Sequence, residues 1–375
     1  MKIKEIQAKS ILRKYKKIDS WFISQYGMNL YRGCTHNCVY CDGRSEKYRV
    51  SGEFGEEVII KINAIDVLKK ELDNIKKKTP FKNSYIMIGG GVGDSYQPME
   101  NKYELTKRTL ELIYNKKLPI SILTKSTLVK RDVDIIKKIN KTTRAIISFS
   151  FSSVDDKISS IFEPGVPPPS ERLKTIKYFK NEGVFCGMFL LPIIPFITDK
   201  PSIMEETIKQ AKNAGVDFII FGGMTLKDGR QKNYFLDALK KTYPELITDY
   251  QTIYRGDKWG HAIPDYYKTI NIIYDILTKK YKIPKRIPLK LFQDILSEND
   301  LVIVLLEQID YLLKIKGKKS PYGYAAYSIS KIKESLSELK GKLKDIRGVG
   351  PTTEKMILEI LETKNLKYYE KLMNE

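Results

Sequence analysis

The sequence predicts an α/β protein, an open (β/α)6 barrel followed by a small all-helical domain. Between residues 28 and 221, six short apolar runs alternate with amphipathic stretches, as parallel strands joined by helices do. From Leu289 onward only helical periodicity remains. The charged run KKYKIPKRIPLK, with Pro284 and Pro288, separates the two regions. We therefore predict a barrel domain over residues 1–285, including an N-terminal extension, and a helical domain over 286–375.

Each predicted strand is a short apolar run, and each predicted helix carries an apolar face. The strands are MNLY at 28–31, SYIMI at 84–88, ISILT at 120–124, AIISFSF at 145–151, VFCGMFLL at 184–191 and DFIIF at 217–221. The helices between them are Ala64–Lys77, Tyr103–Asn115, Val133–Ile139, Ser170–Asn181 and Ser202–Asn213. In such barrels reactive groups gather where strands end. The first strand leads into a cysteine-rich loop, and the second leads into Gly89–Gly91.

Charge and composition narrow the function. Lys and Arg number 66 against 45 Asp and Glu, a formal net charge of +21, which favours a polyanionic partner, although a Lys-rich composition bias would give the same excess. Only two histidines are present, so imidazole acid–base chemistry is poorly supplied. No long apolar run and no secretory signal are found, so we expect a cytoplasmic protein without a membrane partner.

Cys34, Cys38 and Cys41 form the spacing CxxxCxxC in the run RGCTHNCVYC. Three thiolates hold an iron–sulfur cube and leave one iron open to an external ligand. The alternative is a zinc site completed by His36, although zinc-binding cysteines usually come as CxxC with a distant second pair. Cys186 stands alone in an apolar run, so the chain has no disulfide framework.

The CxxxCxxC loop after a first strand, with Tyr40 just before the last cysteine, resembles the radical S-adenosylmethionine (SAM) superfamily. The resemblance implies a [4Fe–4S] cluster on the three cysteines and SAM on the open iron. One electron from the reduced cluster would cleave SAM and release a 5′-deoxyadenosyl radical, and the partner that reduces the cluster is an unknown electron donor. The resemblance also implies cofactor contacts from Tyr40, Gly89, Gly90, Gly91, Lys125, Ser148 and Ser150. Loop packing for Tyr40, a plain turn for the glycines, a solvated Lys125 and core-facing serines remain the alternatives.

Within that superfamily, the runs LYRGC, GDSYQPME, LTKS, EPGVPPPSERL and LLPIIP resemble spore photoproduct lyase and its relatives. This implies repair of a damaged base in DNA. The lyase returns a hydrogen atom from a cysteine, where this chain has Gly91, so that form of the reaction is not expected here. Cys186 or Tyr96 is a candidate hydrogen donor, with core packing as the alternative for Cys186. The predicted substrate contacts are Asp94, Gln97, Glu163 and Arg172, with loop capping and surface ion pairing as their alternatives.

In the helical domain, LKDIRGVGPTTEKMILEIL resembles a helix-hairpin-helix motif. Glycines at a helix N-terminus let backbone amides approach a phosphate, which predicts nucleic-acid contacts at Gly348, Gly350, Thr352 and Lys355. An ordinary helix–turn–helix corner is the alternative. The region from Asn299 also resembles the small N-terminal domain of family X DNA polymerases, and Met356 stands where members with lyase activity carry their lysine, so binding without lyase chemistry is implied.

Together these features predict a radical SAM enzyme that acts on damaged or modified bases in DNA. Two alternatives remain open. The substrate would be RNA in one, and in the other the cluster would serve a non-catalytic, redox-sensing DNA-binding protein.

Overall fold

The computed structural model describes residues 2–48, 52, 54–78, 84–89 and 93–375. The strands in this part of the chain are β1 Lys2–Ile6, β2 Leu12–Asp19, β3 Ser24–Met28, β4 Tyr31–Arg32, β5 Glu57–Lys61, β6 Tyr85–Ile88, β7 Ile120–Thr124, β8 Ala145–Phe151, β9 Phe185–Ile193 and β10 Phe218–Gly223. The α-helices are α1 Ala64–Lys78, α2 Glu100–Tyr103, α3 Leu105–Asn115, α4 Val133–Thr142, α5 Asp156–Phe162, α6 Pro169–Asn181, α7 Pro201–Ala214, α8 Arg230–Thr242, α9 Ile247–Ile253, α10 Pro264–Tyr281, α11 Glu298–Ile315, α12 Tyr322–Ile329, α13 Pro351–Thr363 and α14 Lys367–Asn374.

The main sheet has seven strands in the order β10-β9-β8-β7-β6-β3-β2. Strands β3 and β6 to β10 are parallel, and β2 adds an antiparallel edge to β3. This open sheet of six parallel strands with helical connections confirms the predicted fold class. The first strand was placed too late in the chain, because it spans Ser24–Met28 and Tyr31 belongs to another sheet.

A second sheet of three strands, in the order β1-β5-β4, was missed by the sequence analysis. Strand β1 is almost wholly exposed, and the edge strand β2 of the main sheet is exposed along most of its length. Both are rich in lysine, so neither shows the apolar pattern from which a buried strand is predicted. The N-terminal extension therefore contributes strands to both sheets.

The two faces of the main sheet pack against different helices. On β8, Ile147, Phe149 and Phe151 belong to a core shared with the connecting helices, such as Ile176 of α6. Alternate residues point to the opposite face. There Ile146 and Phe189 of β9 share a second core with the C-terminal helices, chiefly α11. No helix in the described ranges has the length and apolar character needed to cross a bilayer.

Polar contacts join the C-terminal region to the sheet as well. The Tyr85 hydroxyl donates to the carbonyl oxygen of Leu291 over 2.5 Å, and the Arg144 guanidinium makes two bonds of 3.0 Å to the carboxylate of Asp294. The division between residues 285 and 286 stays a prediction. The helices beyond it contact the sheet through apolar and polar side chains alike.

Candidate active site

The cysteine loop lies at the carboxyl edge of the parallel strands, where the architecture predicts reactive groups. Cys34 and Cys38 are buried, and Cys41 is half-buried. The backbone N–H of Cys41 donates to the carbonyl oxygen of Cys38 over 3.2 Å, which closes a turn that brings these two cysteines to the same side of the loop. All three cysteines line one cavity of about 360 Å³, together with Tyr40 and Lys125.

Gln97 holds one side of the cysteine loop. Its amide nitrogen donates to the carbonyl oxygen of Gly33 over 3.2 Å, and its amide oxygen accepts from the N–H of Thr35 over 3.1 Å. Gln97 is fully buried. Both ends of the Gln97 amide are thus bonded to the loop that carries the cysteines, and substrate contact by Gln97 stays a prediction.

Asp94 joins the loop after β6 to the end of β7. Its carboxylate accepts from the Thr124 hydroxyl over 2.7 Å, from the N–H of Lys125 over 2.7 Å and from the N–H of Tyr96 over 2.8 Å. Asp94 borders the cavity, yet its oxygens are bonded to neighbouring loops. These bonds match the loop capping that the sequence left as the alternative, and substrate contact by Asp94 stays a prediction.

The segment after α5 holds the other side of the cysteine loop. The N–H of Val39 donates to the carbonyl oxygen of Phe162 over 2.8 Å, and the N–H of Gly165 donates to the carbonyl oxygen of His36 over 3.0 Å. A Cβ on Gly165 would lie 2.5 Å from the Thr35 carbonyl oxygen, so only glycine fits there without a shift. The glycine of the run EPGVPPP thus serves close packing against the loop.

Glu163 and Arg172, which the sequence predicts as substrate contacts, form a buried ion pair. Both side chains are fully buried, with 2.5 Å between Arg172 Nη2 and Glu163 Oε2. The same carboxylate accepts from the Tyr40 hydroxyl and from Lys125 Nζ, the latter over 2.9 Å. Burial opposes ionisation of Glu163, but the charges of Arg172 and Lys125 outweigh it and hold its pKa well below the usual value. The carboxylate therefore fixes the positions of the Tyr40 hydroxyl and the Lys125 ammonium.

Lys125 presents a held cation to the cavity. Its Nζ also donates to the carbonyl oxygen of Ser150 over 3.3 Å and lies 5.6 Å from the centre of the Tyr40 ring. Its side chain keeps 14% exposure. An ammonium fixed in this way suits a carboxylate ligand, as the cofactor prediction for Lys125 requires.

The remaining predicted cofactor residues differ in whether they line the cavity. Gly89 has φ +80°, and a Cβ there would lie 2.4 Å from the Leu123 carbonyl oxygen, so a plain turn already requires glycine. Gly90 and Gly91 lie outside the described residues. Ser150 lines the cavity and donates to the carbonyl oxygen of Leu191 over 2.9 Å. The Ser148 hydroxyl is buried without a hydrogen-bond partner, and Ser148 is not among the lining residues.

Neither proposed hydrogen donor reaches the cavity. Cys186 is on the helix-facing side of β9, where its Sγ lies 3.9 Å from the carbonyl oxygen of Ile176 on α6. Tyr96 is buried in the same core, and burial together with the charge of Asp132 raises the pKa of its hydroxyl well above the usual value. Both are core residues, and their part in catalysis stays a prediction.

An apolar wall of the cavity was missed by the sequence analysis. It is built by Trp21, Phe22, Leu123, Phe189 and Leu191. Phe22 and Phe189 stack with ring centres 5.0 Å apart and planes 8° from parallel. Strand alternation is one signal that could have identified Phe189 as a wall residue. Phe189 pairs with Ser150 in register, so the two side chains lie on the same face of the sheet. Trp21 and Phe22 lie in a turn between two strands that the sequence did not predict.

The C-terminal domain shows the predicted glycine turn. Gly348 has φ +87°, a conformation that favours glycine, and Gly350 precedes the first residue of α13. A surface groove of about 540 Å³ is lined there by Lys344, Arg347, Gly348, Gly350 and Thr352, with other residues of the turn. Lys355 is exposed but lies outside this groove.

The donor set fits a cluster held by three thiolates. The four cysteines carry no disulfide, and burial raises the pKa of the Cys38 thiol to about 12, so a bound metal is needed to stabilise the thiolate. Within the described residues, no three His, Cys, Asp or Glu side chains converge as ligands of one ion would. A cube binds each thiolate at a separate iron, so its cysteines are spread more widely than the ligands of one ion.

Comparisons with known proteins agree with this geometry. Residues 28–206 match the radical SAM superfamily, and residues 297–366 match a helix-hairpin-helix domain. The uncharacterized protein MJ0683 of Methanocaldococcus jannaschii is 30% identical over 223 residues, which cover 59% of this chain and 78% of that protein. The uncharacterized protein Rv2578c of Mycobacterium tuberculosis is 28% identical over 268 residues, covering 70% and 76% respectively.

Solved structures of spore photoproduct lyase share the fold. One, complexed with dinucleoside spore photoproduct, aligns with a TM-score of 0.56 at 16% identity and covers 74% of this chain and 79% of that chain. A variant with bound AdoMet and dinucleoside spore photoproduct aligns with a TM-score of 0.53, covering 72% and 78%. The cysteine loop, the six parallel strands and these matches lead to one conclusion. The chain belongs to the radical SAM superfamily and is an enzyme that uses a [4Fe–4S] cluster and S-adenosylmethionine.

Proposed function

We propose that this enzyme acts on bases in DNA, with repair of a damaged base as the reaction. One observation carries the proposal. The helix-hairpin-helix region packs on the inner face of the sheet that builds the cysteine-lined cavity, through a shared core that includes Ile146 and Phe189. A backbone-binding element and a radical-generating cavity are thus parts of one folded unit.

Charge supports a nucleic-acid partner. The chain carries a formal net charge of +21. Lys344 and Arg347 border the groove at the start of α13, where the unpaired N–H groups of a helix N-terminus favour a phosphate. This arrangement contacts backbone and reads no sequence, so base selection falls to the cavity.

The solved relatives support DNA as the substrate class. Spore photoproduct lyase has been captured with dinucleoside spore photoproduct, and it shares this fold. Carrying that substrate class to this chain is part of the proposal. The hydrogen donors predicted from the sequence, Cys186 and Tyr96, both lie in the core that the sheet shares with the connecting helices.

The chain's own residues have defined parts in this proposal. When bound, the cluster and SAM supply a 5′-deoxyadenosyl radical by one-electron cleavage of the sulfonium. Cys34, Cys38 and Cys41 hold the cluster, and Lys125, fixed by Glu163, binds the carboxylate of SAM. Tyr40, fixed by the same glutamate, covers the cofactor. We also propose a cytoplasmic location, where three unpaired thiols stay reduced until the cluster forms.

The cluster assignment is tested by anaerobic reconstitution with iron and sulfide. Cys38→Ala is expected to abolish the visible cluster absorbance and the formation of 5′-deoxyadenosine with dithionite. Cys186→Ala, which removes the thiol outside the cavity, is the matched control and is expected to keep both. Persistence of either signal in Cys38→Ala would contradict the assignment.

The DNA assignment is tested by binding at several salt concentrations. Arg347→Ala is expected to lower affinity and to reduce the slope of log K against log salt by about 0.9, the value of one phosphate contact on B-DNA. Lys141→Ala, an exposed lysine on α4, is the control and is expected to leave the slope unchanged. Tighter binding of folded RNA than of duplex DNA would replace DNA by RNA in the proposal.

The reaction itself is tested by mass spectrometry of irradiated DNA incubated with the reconstituted enzyme. Loss of a specific photoproduct that depends on SAM supports repair. Binding of DNA and SAM without 5′-deoxyadenosine formation would instead support a non-catalytic, redox-sensing role.

A further inference from the structure

The turn at residues 20–23 connects the cavity to the C-terminal region. Trp21 and Phe22 both line the cavity, and the Asp19 carboxylate accepts from their N–H groups over 2.8 and 3.2 Å. From the C-terminal side, the amide nitrogen of Gln308 on α11 donates to the carbonyl oxygen of Ser20 over 3.2 Å. The turn is therefore fixed by both regions of the chain.

Trp21 lies where the two edges of the open sheet approach each other. It follows the edge strand β2, and its Cη2 atom is 3.8 Å from the place that a Cβ would take on Gly222 of β10, the opposite edge. The guanidinium carbon of the buried Arg286 lies 4.6 Å from the centre of the indole ring. The indole is thus held at the lateral opening of the barrel, and it still keeps 37% exposure.

The cavity lining includes groups of two chemical kinds. The thiols, Lys125 and Asp42 suit the cluster and the charged groups of SAM. The wall of Trp21, Phe22, Phe189, Leu123 and Leu191 offers no charge to a ligand. Flat aromatic faces beside a lateral opening suit a planar heterocycle, and aromatic stacking accepts any base.

Resting on the DNA function proposed above, we propose that Trp21 is the stacking surface for the target nucleobase, which leaves the duplex and enters the cavity between the two edges of the sheet. Arg286 and Gln308 position the turn that carries Trp21. This makes Trp21 a substrate-binding residue, and the apolar wall the site where the base is held before the radical.

The two tryptophans of the chain allow a direct test. In Trp259→Phe, indole emission comes from Trp21 alone. Titration with a short oligothymidylate is expected to quench this emission, because a stacked base quenches an indole. In Trp21→Phe only Trp259 emits, which is half-exposed beside Lys47 and is not a cavity-lining residue, and no quenching is expected. Inorganic polyphosphate, which carries phosphates without bases, is expected to compete for binding without quenching either indole.

Binding itself is followed by the anisotropy of an end-labelled oligothymidylate. Trp21→Leu keeps an apolar side chain without an aromatic face and is expected to weaken binding by about 5- to 100-fold, the range of one lost base stack. Trp21→Phe is expected to restore most of it. Unchanged urea unfolding shows that each variant is folded.

Each outcome of these two experiments either supports or overturns the stacking site. Quenching of Trp21 together with weaker binding by Trp21→Leu supports the stacking site. Binding without quenching of Trp21, or equal binding by all variants, overturns the stacking site and leaves the DNA function standing. Absence of binding by the parent protein overturns both.

Discussion

Glu163→Gln is the sharpest test of the buried network behind the cavity. Glu163 and Arg172 are fully buried, so removing the carboxylate charge leaves the Arg172 guanidinium in the core without a counter-charge. Breaking such a pair from one side costs about 3–5 kcal/mol. We expect a loss of this size in the free energy of unfolding at pH 7, measured by urea unfolding of the cluster-free chain, with the slope m unchanged. Glu171→Gln, next to Arg172 on α6 but in an exposed pair with Lys174, is the control and is expected to change stability by less than about 0.5 kcal/mol.

The pH dependence gives a second, independent signature of Glu163. Its folded pKa lies below its unfolded value, about 4.3, so the unfolded chain binds the proton first as pH falls. Its contribution to stability is therefore present above about pH 4.3 and is lost as pH falls toward the folded pKa. Glu163→Gln lacks this titration, so the stability difference between the two proteins is expected to shrink below about pH 4.3. A difference that stays constant down to pH 3, or a change at pH 7 no larger than that of Glu171→Gln, would refute the charged-network reasoning.

Three further predictions concern the cavity. Lys125→Ala is expected to weaken SAM binding by about 10- to 100-fold in equilibrium dialysis while the cluster absorbance persists, because a charge-assisted hydrogen bond is lost; equal affinity would contradict this role. Gly165→Ala is expected to lower the iron content after reconstitution, since its Cβ would lie 2.5 Å from the Thr35 carbonyl oxygen. Gly341→Ala, with no atom within 4 Å of its Cβ, is the control, and equal iron in both would argue against close packing. Cys186→Ala is expected to leave product formation unchanged and to reduce stability by about 1–2 kcal/mol in urea unfolding; lost turnover in a stable variant would reinstate the thiol.

The fold class could be predicted because the patterns that indicate helices and strands lie within short stretches of the sequence. The helices Ala64–Lys78 and Pro169–Asn181 match the predicted bounds within one residue, because apolar periodicity and prolines mark them. Strands β1 and β2 left no such pattern, since most of their residues face solvent. Without β2, the turn that carries Trp21 had no predicted place in the fold.

The sequence indicated which residue types lie near the candidate site more successfully than it indicated what each residue contacts. The cysteines and Lys125 line the cavity as expected, because strand ends in this architecture converge. Gln97, Glu163 and Arg172 have the right chemistry for substrate contacts, yet each is bonded to other groups of the chain. A sequence shows that a polar group is near a strand end, but its partner is decided by loops that are distant in the chain. For Gln97 that partner, Gly33, is 64 residues away along the chain.

Helix α11 is buried on nearly all sides, between the inner face of the sheet and the helices that follow it. Cutting the chain before this helix would expose Ile146, Phe189 and Phe218 to water, so a truncated barrel is expected to aggregate. Joining the helical region to another barrel would likewise require a matching apolar face on the sheet of that barrel. Because the two regions share this core, heating is expected to melt both in a single transition.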